Sequence, residues 1–128
     1  MSGASEGPSA AAAPGAPTTR TVGMVVQLRD ECEAEYRRLH ADGNAGVRDL
    51  LEKYHLRRFS IFLQRMPDGK LYEFGTYTYL GSDFARDMAL LDAEPRNKDW
   101  LAVCDPMQTS ITPGGKGWTI MEPVYSNA

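Results

Sequence analysis

Residues 58–80 read as two strands joined by a tight turn, and a hairpin of this kind commits a short chain to a sheet that needs a cover. In RFSIFLQ (58–64), Phe59, Ile61 and Leu63 alternate with more polar neighbours, the period of a strand with one buried face. LYEFGTYTYL (71–80) is aromatic and threonine-rich, a composition that suits a pleated, half-buried surface. Between them MPDGK (66–70) is a turn with a mechanism, since proline presets φ and glycine tolerates the left-handed region.

The remaining segments supply the cover. VGMVVQLR (22–29) is β-branched and apolar on both faces, as suits a strand covered on each side. Asp30 followed by Glu33 predicts a helix start of the capping-box type, and Tyr36, Leu39 and His40 then share one helix face. ADGNAG (41–46) breaks that helix, and Val47, Leu50, Leu51 and Tyr54 return to helical spacing. Ser82 is predicted to cap a helix carrying Phe84, Met88 and Leu91 that ends near Pro95. A shorter helical piece over residues 97–104 presents Trp100, Leu101 and Cys104, and residues 118–125 read as a last strand.

The resulting order is β, α, β, β, α, β, the split βαβ pattern. It predicts a single α+β domain of the ferredoxin-like kind over residues 21–128, with helices on one face of an antiparallel sheet. The other face is left apolar, and an uncovered apolar face calls for a partner. Two such sheets placed face to face make a dimeric α/β barrel, so a homodimer is expected. Residues 1–20, rich in Ala, Pro, Gly, Ser and Thr, hold too little apolar surface to offset the entropy of ordering and are expected to be a disordered tail outside the chemistry.

Composition then removes whole classes of function. The chain has 14 basic and 17 acidic side chains, a net charge of -3, and the two signs are interleaved. Nucleic-acid binding and a polybasic membrane contact both need a basic surplus on one face. No apolar run reaches the roughly 18 residues that span a bilayer, and the first twenty residues do not read as a secretory signal. Cys32 and Cys104 stand apart, with neither disulfide-framework nor zinc spacing, so a reducing, cytoplasmic setting and a metal-free site are expected.

Among residues able to carry chemistry, Tyr36 and His40 stand out, four apart and therefore on one side of a helix. Spacing alone leaves two readings: an acid/base pair, or a core tyrosine beside a histidine placed favourably at a helix C-terminus. GGKG (114–117) lacks the spacing of a phosphate-binding loop and reads as a mobile turn before the last strand. His55 is expected at the surface, and Asp83, Asp87 and Asp92 are expected on a solvated helix face.

Taken together, several short motifs resemble the L-rhamnose mutarotase family. EYRRLH (35–40) is similar to its EYxxRH element, and FSIFL (59–63) to its YSIFL strand at the same distance after the histidine. The segment from KDW (98–100) to Met107 resembles its RWW-to-Met stretch, and PVY (123–125) its terminal xVF. The likeness spans most of residues 22–125. It implies an isomerase that exchanges the α and β anomers of a rhamnose-like pyranose without a cofactor. His40 would be the acid/base with Tyr36 as its partner, and Phe59, Ile61, Trp100 and Met107 would contact the substrate. Three places differ from the family: ADGNA (41–45) stands for an IWPE-type element, Phe59 for a tyrosine, and TPGGKG (112–117) for a DNSP element. Those changes keep two other functions open. One is a dimeric-barrel enzyme of the polyketide-cyclase or cofactor-free oxygenase type acting on an apolar or aromatic small molecule; the other is a non-catalytic small-molecule-binding module.

Overall fold

A computed structural model describes residues 19–127. The expected tail falls, up to residue 18, outside the described residues. Strand β1 (Arg20–Leu28) leads through a single 3-10 turn into helix α1 (Glu33–Leu39). Helix α2 (Arg48–Lys53), strands β2 (Leu56–Arg65) and β3 (Leu71–Tyr79), and helices α3 (Phe84–Ala93) and α4 (Pro95–Cys104) follow. The chain closes with two short strands, β4 (Gln108–Thr109) and β5 (Thr119–Ile120). The sheet is antiparallel with the order β2-β3-β1-β4, and β5 also pairs with β1. This is the ferredoxin-like α+β arrangement expected of the sequence.

Register explains which residues face the helices. Val22, Met24, Val26 and Leu28 of β1 lie opposite Tyr77, Gly75, Glu73 and Leu71 of β3. These form the floor under α1, α2 and α3, where Tyr36, Leu50, Met88 and Leu91 complete the buried core. In β2 a bulge intervenes: Arg57 pairs with Thr78 but Ser60 pairs with Thr76. Arg58 occupies the left-handed region there, with φ 56°. The extra residue shifts the strand's phase, so that Leu56 on one side of the bulge and Ile61 on the other both lie opposite residues of the helix-covered face. Phe59, beside the bulge, stacks on Tyr77 of that face at 5.3 Å.

Several terminal details differ from the sequence reading. The capping box at Asp30 and Glu33 does not form. Asp30 instead pairs with Arg65 at 3.2 Å, and Glu33 with Arg37 one turn on at 2.9 Å. Asp83, not Ser82, caps α3, its carboxylate accepting the Arg86 amide at 3.1 Å. Glu94 ends α3 and begins α4 with an extended backbone (φ -64°, ψ 123°), as a residue before proline prefers. The last strand is confined to Thr119–Ile120, shorter than the expected 118–125: Met121 still donates its amide to the Gly23 carbonyl at 2.8 Å, but Pro123 soon after it has no N–H to extend the ladder.

Asp87 corrects the expectation of a solvated acidic face. It is buried and accepts the Tyr79 hydroxyl at 2.5 Å. That hydroxyl in turn accepts the Asp83 amide at 2.9 Å, tying the start of α3 to the end of β3. His55, half-exposed as expected, brings Nε2 to 4.0 Å from the same carboxylate.

Candidate active site

Helix α1 is short, and its end sets the geometry of the histidine. His40 terminates the helix, and its backbone N–H and its ring Nδ1 both reach the Tyr36 carbonyl, at 3.2 and 2.8 Å. A carbonyl only accepts, so Nδ1 carries the proton and Nε2 keeps its lone pair. Burial lowers the pKa of His40 below the ordinary histidine value, and the nearby Arg48 guanidinium acts in the same direction. The outcome is a neutral imidazole with one defined basic nitrogen. Its ring lies on Tyr36 with centroids 4.0 Å apart and meets the edge of Trp100 at 5.2 Å.

These rings line a cavity of about 460 Å³ between the helices and the sheet. Tyr36, His40, Phe59, Ile61 and Trp100 are all in its wall, so five of the six residues singled out from sequence come together. Met107 does not join them, packing instead against the Leu28, Tyr36 and Leu71 cluster. Arg57 and Arg58, delivered by the β2 bulge, also line the cavity. Trp118 and Gln108 reach it from the two ends of the segment that interrupts the edge strand.

The Tyr36 hydroxyl does not face His40. It donates to Glu73 at 2.5 Å, while Gln108 Nε2 donates to both Glu73 oxygens at 3.1 and 3.2 Å. Glu73 is fully buried beneath them. Burial pushes its carboxyl up to about 7, against the opposing pull of the Tyr36 and Gln108 hydrogen bonds. Burial and the Glu73 charge drive the Tyr36 phenol strongly upward. Sequence reasoning had passed over Glu73 and Gln108. The available signal was phase: in LYEFGTYTYL, Glu73 shares its face with Leu71, Tyr77 and Tyr79, where an acid is out of place.

Gly46 holds the opposite wall. Its φ is +54°, and a Cβ built there would lie 3.2 Å from the Trp100 ring. Gly46→Ala is expected to cost roughly 1–2 kcal/mol through left-handed backbone strain and to displace Trp100. A lowered unfolding midpoint together with altered tryptophan fluorescence checks both effects; an unchanged midpoint contradicts the first.

A family profile described as L-rhamnose mutarotase matches residues 21–127. The chain belongs to the L-rhamnose mutarotase family. Membership makes it an enzyme of the isomerase class, a sugar mutarotase by descent. A crystal structure of an L-rhamnose mutarotase from Formosa agariphila superposes with a TM-score of 0.55 at 14% identity. The superposition covers 85% of this chain and 99% of that one, so the shared fold extends over almost the whole relative. No curated protein sequence matches the chain. No helix among the described residues is long and apolar enough to cross a membrane, and no group of three His, Cys, Asp or Glu side chains among them is placed to hold a metal ion. Both cysteines are free, and burial raises the thiol of Cys104, which lines the cavity, to about 12.

Proposed function

We propose that this mutarotase-family chain interconverts the α and β anomers of L-rhamnose or a closely related pyranose by acid/base ring opening, with His40 as the base. The observation that carries the reading is the neutral His40 ring, fixed through Nδ1 to the Tyr36 carbonyl inside the cavity. Ring opening removes the proton of the anomeric hydroxyl and protonates the ring oxygen as its bond to the anomeric carbon breaks. Rotation about the next carbon–carbon bond then lets the ring oxygen attack the other face of the aldehyde. Each step is a proton transfer within hydrogen-bond reach, for which an imidazole near its neutral form is suited. Phe59, Ile61 and Trp100 supply the apolar wall against which a deoxysugar's methyl group and ring hydrogens pack.

The test is magnetisation exchange between anomeric proton resonances of L-rhamnose, with L-fucose and D-glucose alongside, in the presence of the full chain. Accelerated exchange on one of these sugars supports the reading and identifies the substrate. No acceleration on any of them defeats it. Phe59, stacked on Tyr77 where the family carries a hydroxyl, favours the second reading, a flat apolar substrate. Tight binding or turnover of an aromatic ligand with no sugar response would select that one.

A second copy of the chain is proposed to cover the sheet face that no helix covers. Phe62 is 62% exposed there, next to Phe74 across the β2–β3 pair. Beyond β5, Val124 and Tyr125 are 93% and 84% exposed, apolar groups within reach of a partner's sheet. Phe62→Asp is expected to halve the mass measured by light scattering while leaving the protomer folded. A wild-type chain that is already monomeric at micromolar concentration rules the dimer out.

A further inference from the structure

Glu73 is a costly residue to keep where it is. It sits in the middle of β3, between Val26 of β1 and Leu63 of β2, and it is fully buried. The groups that face it are the Tyr36 hydroxyl from α1, the Gln108 amide from β4 and the Cys104 thiol from α4. None of these is a cation, and among the described residues none of the ion pairs includes Glu73. A carboxyl buried without a cation costs stability that its hydrogen bonds only partly offset. Glu73 itself does not line the cavity, but both of its hydrogen-bond partners do. It is thus one side chain removed from the cavity.

We propose that Glu73 is a positioning residue of the mutarotase site, supplying through the Tyr36 hydroxyl the proton that the sugar's ring oxygen takes up on opening. The proposal rests on the mutarotase reading above. Proton bookkeeping closes. His40 Nε2 takes the proton of the anomeric hydroxyl. In the reactive form Glu73 is protonated and donates to the Tyr36 oxygen, the reverse of the direction described above. As the bond between anomeric carbon and ring oxygen breaks, the Tyr36 hydroxyl gives its proton to that oxygen and the Glu73 proton replaces it. Closure on the other face of the aldehyde reverses each transfer, and the protein ends as it began. The arrangement resolves a difficulty at Tyr36: a buried phenol with a pKa driven strongly upward is a poor acid alone, yet a good conduit when a carboxyl stands behind it.

A merely structural role for the pair would need an acceptor for the Tyr36 hydroxyl and a partner for the Gln108 amide. A glutamine provides both, its carbonyl accepting from Tyr36 and its NH2 donating to the Gln108 carbonyl once that amide turns over. Glu73→Gln therefore separates the two roles. Wild type, Glu73→Gln and Tyr36→Phe are compared for anomer exchange on L-rhamnose between pH 5 and 9. In wild type the rate should fall on the alkaline side near pH 7, where Glu73 loses its proton, and on the acid side as His40 gains one. Glu73→Gln should lower the maximum on the order of 100-fold and abolish the alkaline limb, and Tyr36→Phe should do the same. A Glu73→Gln enzyme with wild-type rate and profile overturns the proposal and leaves the mutarotase reading standing. Wild type inactive on every sugar overturns both. Should Glu73→Gln fail to fold, carbon NMR of the glutamate-labelled wild-type chain decides. One carboxyl titrating about 7 supports the proposal, and all glutamates titrating in the ordinary carboxylate range overturn it.

Discussion

His40→Ala is expected to abolish enzymatic anomer exchange, lowering the rate by about 10²- to 10⁴-fold, the usual contribution of a placed acid/base group. The substitution removes the one basic nitrogen defined by the Nδ1 contact to the Tyr36 carbonyl. Stability should suffer little, since the ring contributes stacking on Tyr36 and an edge contact to Trp100, worth about 1 kcal/mol. Wild-type activity should also persist below the ordinary histidine pKa. Burial lowers the folded-state value, so Nε2 stays unprotonated further into the acid range. The same shift has a thermodynamic sign. A depressed folded pKa means the unfolded chain binds the proton first, so this contribution to stability is present above the unfolded pKa and is lost as pH falls through the folded one. Exchange by His40→Ala within twofold of wild type would remove His40 from the mechanism.

Gly81→Ala should be strongly destabilising. A Cβ at Gly81 would collide with the Tyr79 hydroxyl and lie 2.8 Å from the Asp87 carboxylate. Tyr79 is fully enclosed, and its hydroxyl is pushed up to about 12, chiefly by burial and by its bond to Asp87. It cannot swing away without taking from the buried Asp87 carboxylate its hydrogen bond, leaving only the looser approaches of Arg86 at 3.7 Å and His55 at 4.0 Å. A lost buried hydrogen bond costs about 1–3 kcal/mol on top of the overpacking strain of similar size. A loss of roughly 3 kcal/mol or more is expected, which lowers the unfolding midpoint of a domain of this size by about 10 °C. In a Tyr79→Leu background the glycine substitution should add much less, because the colliding atoms are gone. A Gly81→Ala midpoint equal to wild type contradicts the description of this corner.

The sheet and the helix-covered face were legible from periodicity because their side chains answer to burial, which leaves a period of 2 in β2 and β3 and of 3.6 in the helices. The Tyr36, His40 and Trp100 grouping was legible through family motifs. Asp87 was misread because its neighbours in sequence, Asp83 and Asp92, give no hint of the Tyr79 hydroxyl that reaches it from another element. Glu73 was overlooked for a related reason: its partners lie 37 and 35 positions away, and only the pairing of β3 with β1 puts its carboxyl under Tyr36. The bulge at Arg58 left no trace in the alternation of Phe59, Ile61 and Leu63, since the phase shift falls one residue before that pattern begins. Local signals report propensity and burial. Polar contacts between distant segments are set by register, which no short window contains.

The edge strand next to β1 is made of two separate pieces. Leu28 and Gln27 pair with Gln108 and Thr109, while Val25 and Met24 pair with Thr119 and Ile120, so residues 110–118 leave the sheet where a continuous strand would place a single residue. Hydrogen bonding on either side is indifferent to how long that departure is, because closing a longer loop adds only slowly to the entropy cost. Trp118 sits at the point of return and hangs into the cavity. The excursion can therefore lengthen, shorten or change in sequence and so reshape the cavity wall while the sheet's framework stays as it is. For an engineer, the interruption is a natural place to graft a new specificity.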